Sequence, residues 1–346
     1  MVKNTVQRRF VQRLSSKVKE LETLPGFHHA IFHEQDRQRV VAKARDFILR
    51  CFNDPPPHPS LLDADQQGHT KQEFEKLKAP GGLRFAPTRL AMRTIGRLSD
   101  GVRLSWQRGF DSGTTLDYVY RNKPSGTTPL GRAIDRSYLN SIGWRGIRQR
   151  KIHLENVLRD TIGSTHAAGR SVHLLDVASG PGRYVLETVH RLAHVPMTVL
   201  LRDYKQENLD AARHLAAELS LTNVQMMHAD AFDPASYDGI NPRPTIAIVS
   251  GLYELFADNQ SVVTSLSGLA GAVEPDGHLI YTNQPWHPQV EFIARVLLNR
   301  EGRPWIMRRR TQAEMDELVR DAGFRKVRQE IDRWGIFSVS VAVREM

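Results

Sequence analysis

Three carboxylates and a pair of glycines carry the clearest chemical pattern in the chain: Asp176-x-x-x-Gly180-x-Gly182, then Asp203, then Asp230. Each carboxylate lies in or just beyond an apolar run: SVHLLDV ending at Val177, MTVLL ending at Leu201, and Asn223–Met227. Glycines after a buried strand let the backbone turn sharply and let a ligand approach where a Cβ would obstruct it. The helical pattern that begins at once, through Tyr184, Val185 and Leu186, leaves its first amides free to face whatever sits over the turn. Asp203 stands 21 residues beyond Gly182, near the spacing of about 20 at which a carboxylate reaches ribose hydroxyls. These residue types in this order predict a nucleotide-type site. The simplest alternative for the glycine turn alone is an ordinary strand-to-helix connection.

Further elements must hold such a site. Thr245–Ser250 (TIAIVS) reads as a fourth buried strand, and the following Gly251-Leu252-Tyr253-Glu254-Leu255-Phe256 falls at its carboxyl end, where a cleft opens in sheets of this type. The turn Pro275-Asp276-Gly277 precedes a fifth strand, HLIYTN, with Asn283, Gln284, Trp286 and His287 expected at the cleft rim. Thr311–Gly323 predicts a helix, with Thr311 as N-cap, Glu314 in the capping-box position and Gly323 as its end. Two β-rich runs, about 325–331 and 335–343, follow. A dinucleotide enzyme would carry a third glycine where Val185 stands, which weakens a nicotinamide dehydrogenase reading.

The D-x-x-x-G-x-G turn resembles motif I of class I S-adenosylmethionine (SAM) methyltransferases, and the resemblance continues in order over about residues 140–346. It implies an α/β, Rossmann-like fold with a seven-stranded, mostly parallel sheet, and SAM as cofactor. On the matching positions it implies cofactor binding by Asp176, Ala178, Gly180, Gly182, Asp203, Tyr204, Asp230, Ala231, Phe232 and Ser250. Asp230 would hold the adenine amino group, with Ala231 and Phe232 near the ring. The activity implied is SAM-dependent methyl transfer to a nitrogen or oxygen acceptor of a small molecule or lipid head group. Methyl transfer needs alignment more than a nucleophile; for a protonated acceptor, His287 or Glu254 would serve as general base, with Tyr253 positioning the acceptor. The helices before motif I would shape the acceptor pocket through Tyr118, Tyr120, Tyr138, Trp144 and Arg145, joined by Asn283 and Trp286 from the rim. Within this stretch, GFDSGTTLDYVYRN and PLGRAIDRSYLNSIGWRGIRQRK resemble the methyltransferase region of bacterial bifunctional α/β-hydrolase/methyltransferase proteins. The chain lacks the G-x-S-x-G elbow of the hydrolase half, and its N-terminal region is too short and basic for one.

Composition narrows the setting. The single cysteine, Cys51, excludes an internal disulfide and any CxxC metal site, so a reducing compartment and no bound metal are expected. No apolar stretch reaches membrane-span length and Met1–Glu20 has no apolar centre, which predicts a cytoplasmic protein, peripheral at most at the inner membrane surface. Residues 1–160 hold 29 Lys and Arg against 16 Asp and Glu, a net +13; residues 161–346 hold 19 against 22, a net −3. The chain therefore reads as a basic, mainly helical extension over 1–108 with a Pro-rich linker near 54–68, a helical cover over 109–160 and the methyltransferase domain over 161–346. Between Thr88 and Leu98, Leu90, Ala91, Ile95 and Leu98 form an apolar face beside Arg89, Arg93 and Arg97, a pattern suited to anionic lipid as well as to ordinary packing. The basic excess also admits RNA methylation, although no RNA-binding signature is present. A silent SAM-binding interaction module stays open too, as does the oligomeric state.

Overall fold

The computed structural model describes residues 4–16, 18–28, 30–53, 59–79 and 81–345. The prolines at 55–57, near the start of the expected linker, lie outside them. The chain divides into two units, Met1–Ser60 and Leu61–Met346. The smaller holds α1 (Asn4–Arg13) and α2 (Arg37–Asn53), and Val40 is its one buried side chain among the described residues. Residues 61–108, which the sequence groups with the basic extension, belong to the larger unit.

The larger unit begins with α3 (His69–Lys78), α4 (Ala86–Arg93), α5 (Asp100–Arg108), α6 (Gly113–Arg121), α7 (Pro129–Leu139) and the long α8 (Ile142–Ala167). Strands and helices then alternate: β1 (Val172–Val177), α9 (Arg183–Arg191), β2 (Met197–Asp203), α10 (Gln206–Glu218), β3 (Val224–His228), β4 (Ile246–Val249), α11 (Asn259–Ala272) and β5 (His278–Asn283). The chain closes with α12 (Val290–Val296), α13 (Gln312–Asp321), β6 (Phe324–Ile331) and β7 (Ser338–Arg344). The capping expectation holds at α13, where the Thr311 side chain accepts from the Glu314 amide.

The seven strands form one sheet in the order β3-β2-β1-β4-β5-β7-β6, and all pairings are parallel except those of β7 with β5 and β6. This is the α/β, Rossmann-like, seven-stranded architecture that the resemblance implies. Its central strands are covered on both faces. Leu174, Val199 and Ile248 pack with Val185 and Val189 of α9, while Leu175, Ala247 and Leu279 pack with Leu266 of α11 and Leu318 of α13. Burial on both faces explains why these strands are continuously apolar in sequence. Chain order reverses at β1, which lies between β2 and β4, so a crevice opens beyond the carboxyl ends of β1 and β4.

A third apolar cluster joins Phe110, Val119, Leu139, Trp144 and Ile147 to Ile293, Val296 and Phe337, packing α6, α7 and α8 against α12 and the loop before β7. The stripe from Thr88 to Leu98 is not one helix. α4 ends at Arg93, where the Thr94 hydroxyl donates back to the Leu90 carbonyl at 2.8 Å, and Ile95–Leu98 continues as a 3₁₀ turn. No helix among the described residues is long and apolar enough to cross a membrane.

Candidate active site

The turn after β1 is built on left-handed backbone: Ala178, Gly180 and Gly182 have φ of 55°, 57° and 65°. At Gly182 space matters as well, since a Cβ there would meet a Leu201 methyl at 2.7 Å. Asp203, at the end of β2, ties the turn down. One of its carboxylate oxygens accepts from the Gly180 amide at 2.8 Å, and the other from the Lys205 amide and the Asn208 side chain. Asp176 is fully buried below the turn, with the Tyr184 hydroxyl 2.7 and 2.8 Å from its two oxygens. Burial raises its carboxyl well above the ordinary range, Tyr184 works against that, and nearby Asp203 adds to it. Asp176 thus supports the turn from beneath and lines neither the cavity over the turn nor the two beside it. From above, α6 packs over the turn, with Asp117 paired to Arg183.

A cavity of about 800 Å³ lies over this turn, bordered by Ala178, Gly180, Asp203, Tyr204, Asp230, Ala231 and Phe232. The Asp230 carboxylate accepts from the Phe232 amide, and the Phe232 ring meets Phe256 edge-on at 4.4 Å. Ser250 is set apart from this row. It lines a small recess with Tyr120 and the glycine turn, and its buried hydroxyl has no hydrogen-bond partner among the described residues. SAM fits this set of residues. The volume suits an adenosyl group, a strand-end carboxylate stands beside the turn for ribose hydroxyls, Asp230 and the Phe232 ring suit a base, and the orphan hydroxyl of Ser250 suits a polar tail.

A second, largely apolar cavity of about 490 Å³ lies beside the first, and Asp111 and Gly251 line both. Its polar lining includes Glu254, Arg150, Gln284 and His287. Glu254 is fixed from three directions. Arg310 holds the Tyr253 carbonyl at 2.5 Å, Thr282 on β5 donates to Glu254 Oε1 at 2.9 Å, and buried Arg150 stands 3.6 Å from that same oxygen. Glu254 Oε2, equally buried, has no hydrogen-bond partner among the described residues. Asp111, 7 % exposed, accepts the Arg300 amide through Oδ1; burial raises its carboxyl and Arg300 opposes the rise.

His287 carries a correction to the sequence reading. Its Nδ1 accepts the Gln289 amide at 3.0 Å, so the ring proton sits on Nε2. The ring therefore presents a donor rather than a base. Burial, with Arg309 nearby, lowers its pKa to about 4, which keeps it neutral. Gly143 makes room for it, as a Cβ there would lie 2.9 Å from Nε2.

Tyr138 and Trp144 line the apolar cavity and Tyr120 the recess by the turn, but five other expected residues point elsewhere. The Tyr253 hydroxyl donates to Ser265 in the core, and the Tyr118 hydroxyl donates to Asp135 at 2.6 Å. Arg145, one residue past Trp144, turns to the surface over the Trp334 ring. Asn283 donates to the Arg310 carbonyl, because alternate residues of a strand face opposite sides and Thr282 takes the side of Glu254. Trp286 is 44 % exposed and borders neither cavity. The sequence reading missed Asp111 and Arg150. The mixed aromatic and charged stretch that contains both was the available signal, yet nothing in its spacing singles them out.

A glycine turn after β1, carboxylates at the ends of β1 and β2, and a cleft across this sheet order define a class I methyltransferase. The chain belongs to the family described as "Putative methyltransferase", whose model matches residues 44–344. It is 46 % identical over 345 residues to Uncharacterized protein YnbC of Escherichia coli K12, covering 97 % of this chain and 58 % of YnbC. It thus spans little more than half the length of that relative. Among solved structures, a possible exported protein from Bordetella parapertussis aligns with a TM-score of 0.55 at 19 % identity, over 82 % of this chain and 97 % of that one, a likeness of fold. A weaker likeness, TM-score 0.48 at 15 % identity over 69 % of this chain and 97 % of the other, is to magnesium protoporphyrin IX methyltransferase (ChlM) from Synechocystis PCC 6803 with bound SAH.

Proposed function

We propose that the protein transfers a methyl group from SAM to a nitrogen or oxygen of a small molecule or lipid head group held in the apolar cavity. The observation that carries this reading is the meeting of the two cavities at Asp111 and Gly251. Bound SAM would supply an electrophilic methyl group. Asp203, Asp230, Ala231, Phe232 and Ser250 would hold it, with the glycine turn giving close approach. The apolar walls exclude water and align the acceptor, effects that contribute much of the rate in a displacement of this kind.

His287 Nε2–H donates to an oxygen or lone pair of the acceptor. The proton leaving the acceptor goes to a carboxylate, either Asp111 at the junction or the unpaired Oε2 of Glu254. Asp111 lines both cavities, which favours it. The resemblance of residues 109–151 to the methyltransferase half of hydrolase fusions belongs to the same reading, and YnbC has length beyond the aligned region.

Incubation of the full chain with radiolabelled SAM and separate metabolite, lipid and RNA extracts tests the proposal. Label in the metabolite or lipid fraction supports it, and label confined to RNA sinks it. With the acceptor in hand, Asp111→Asn and Glu254→Gln separate the two carboxylates. The one that serves as base loses about 10²-fold or more in turnover, while S-adenosylhomocysteine (SAH) binding, followed by calorimetry, stays unchanged in Glu254→Gln, whose side chain lines only the apolar cavity.

A further inference from the structure

We infer that the acceptor is an amphiphile with an apolar chain, and that the outer end of the apolar cavity is a port through which that molecule passes from an anionic lipid surface. This rests on reading the cavity as the acceptor site. Asp111 lies at the junction with the cavity over the glycine turn, and Glu254 follows three residues after Gly251 of that junction, while Met92, Ile134, Phe292 and Leu297 provide an apolar wall. A small polar acceptor would leave that wall unfilled, whereas a chain would bury against it.

Thr88, Ala91 and Ile95 line the cavity and are also exposed, so it reaches the surface at α4 and the 3₁₀ turn that follows. The same stretch exposes large aliphatic side chains: Leu83 at 90 %, Leu90 at 64 % and Ile95 at 58 %. Residues 83–98 contain Arg84, Arg89, Arg93 and Arg97 and no Asp or Glu. Arg84 pairs with Glu291, Arg89 reaches the Arg295 carbonyl and Arg93 lies over the Trp106 ring, yet all four are exposed. Aliphatic side chains amid exposed arginines, only Arg84 of which is paired to a carboxylate among the described residues, suit a lipid interface, where the former enter the acyl boundary and the latter meet phosphates. Single-stranded RNA would instead call for stacking aromatic rings, and the exposed large side chains of this stretch are aliphatic.

Two measurements on the full chain test the inference. The first is co-sedimentation with phosphatidylcholine vesicles, with and without phosphatidylglycerol. Binding is expected to rise about tenfold or more with the anionic lipid and to fall by a similar factor in Leu90→Asp. Leu90 is exposed and borders neither cavity, so SAH affinity measured on the same sample should not change. The second is quenching of tryptophan fluorescence, with Trp144 and Trp305 as cavity reporters, by para-ethylphenol and para-nonylphenol. The longer chain should bind about tenfold or more tightly, within the ceiling of about fourfold per buried methylene. Ile95→Asp should weaken the nonyl compound alone. Equal binding to neutral and anionic vesicles, equal affinity for the two phenols, or tighter binding to a single-stranded RNA oligonucleotide than to the vesicles would each overturn the inference. Failure of the unaltered chain to bind SAH would instead remove the underlying methyltransferase reading.

Discussion

His287 lines the apolar cavity as a neutral donor, and that state has a pH signature. In the unfolded chain its pKa is the ordinary 6.5; in the fold, burial and then Arg309 lower it to about 4. Between these values the unfolded chain holds a proton that the folded chain does not, so stability falls as pH drops from about 6.5 to about 4. Above 6.5 neither state holds the proton and this contribution is flat. The full loss is on the order of 3 kcal/mol. His287→Gln, which keeps an N–H donor but cannot titrate, should remove that slope in denaturant unfolding measured across this range. An unchanged slope would mean the imidazole titrates alike in the folded and unfolded chains. Ring-nitrogen chemical shifts give a second check, with the proton expected on Nε2 at neutral pH.

At the scale of elements, the turn between β1 and α9 does the most for the site, and its geometry depends on glycine. At Gly182 an alanine would adopt φ of 65° and place its Cβ 2.7 Å from Leu201. The left-handed backbone costs about 1–2 kcal/mol and the overpacking about 1–3 kcal/mol. Gly182→Ala should therefore lower Tm by several degrees and weaken SAH binding together, since the turn and the strand end share one hydrogen-bond set. A variant with normal Tm and normal SAH affinity would show that the turn does not shape the cofactor cavity. The short 3₁₀ turn after β4 acts differently. With three residues per turn, successive side chains diverge by about 120°, which sends Glu254 to the cavity and its neighbour Tyr253 into the core.

The whole molecule separates a weakly buried basic unit from a unit that carries both cavities. Every residue lining them lies between Thr88 and Phe337. A chain beginning at Leu61 is thus expected to bind SAH with the affinity of the full chain, measured by calorimetry. A large loss would place the first 60 residues in the machinery of the site. The four arginines between residues 83 and 98 also remain in that shorter chain, so its preference for anionic vesicles should persist.

Much of the sheet and of the glycine turn was legible in the sequence because their determinants are local. A buried parallel strand is a continuous apolar run, a left-handed turn needs glycine, and a carboxylate at a strand end keeps its place whatever the loops do. The order of strands, the glycine turn, Asp203 and Asp230 follow from such short-range rules. The apolar cavity was not legible in that way. Asp111, Arg150, Glu254 and His287 come from the turn before α6, from α8, from the segment after β4 and from the loop after β5, and only packing brings them to one cavity. Tyr253, Tyr118, Arg145 and Asn283 sit within one or two positions of cavity residues or in the same helical cover, yet rotation about a helix, a 3₁₀ turn or a strand directs each elsewhere. The sequence by itself determined the sheet and the cofactor turn, since those are fixed by residues adjacent along the chain. The tertiary structure decided which polar groups line the apolar cavity, which oxygen of Glu254 is left without a hydrogen bond among the described residues and where the proton of His287 resides, because side-chain direction and long-range partners exist only once the elements have packed.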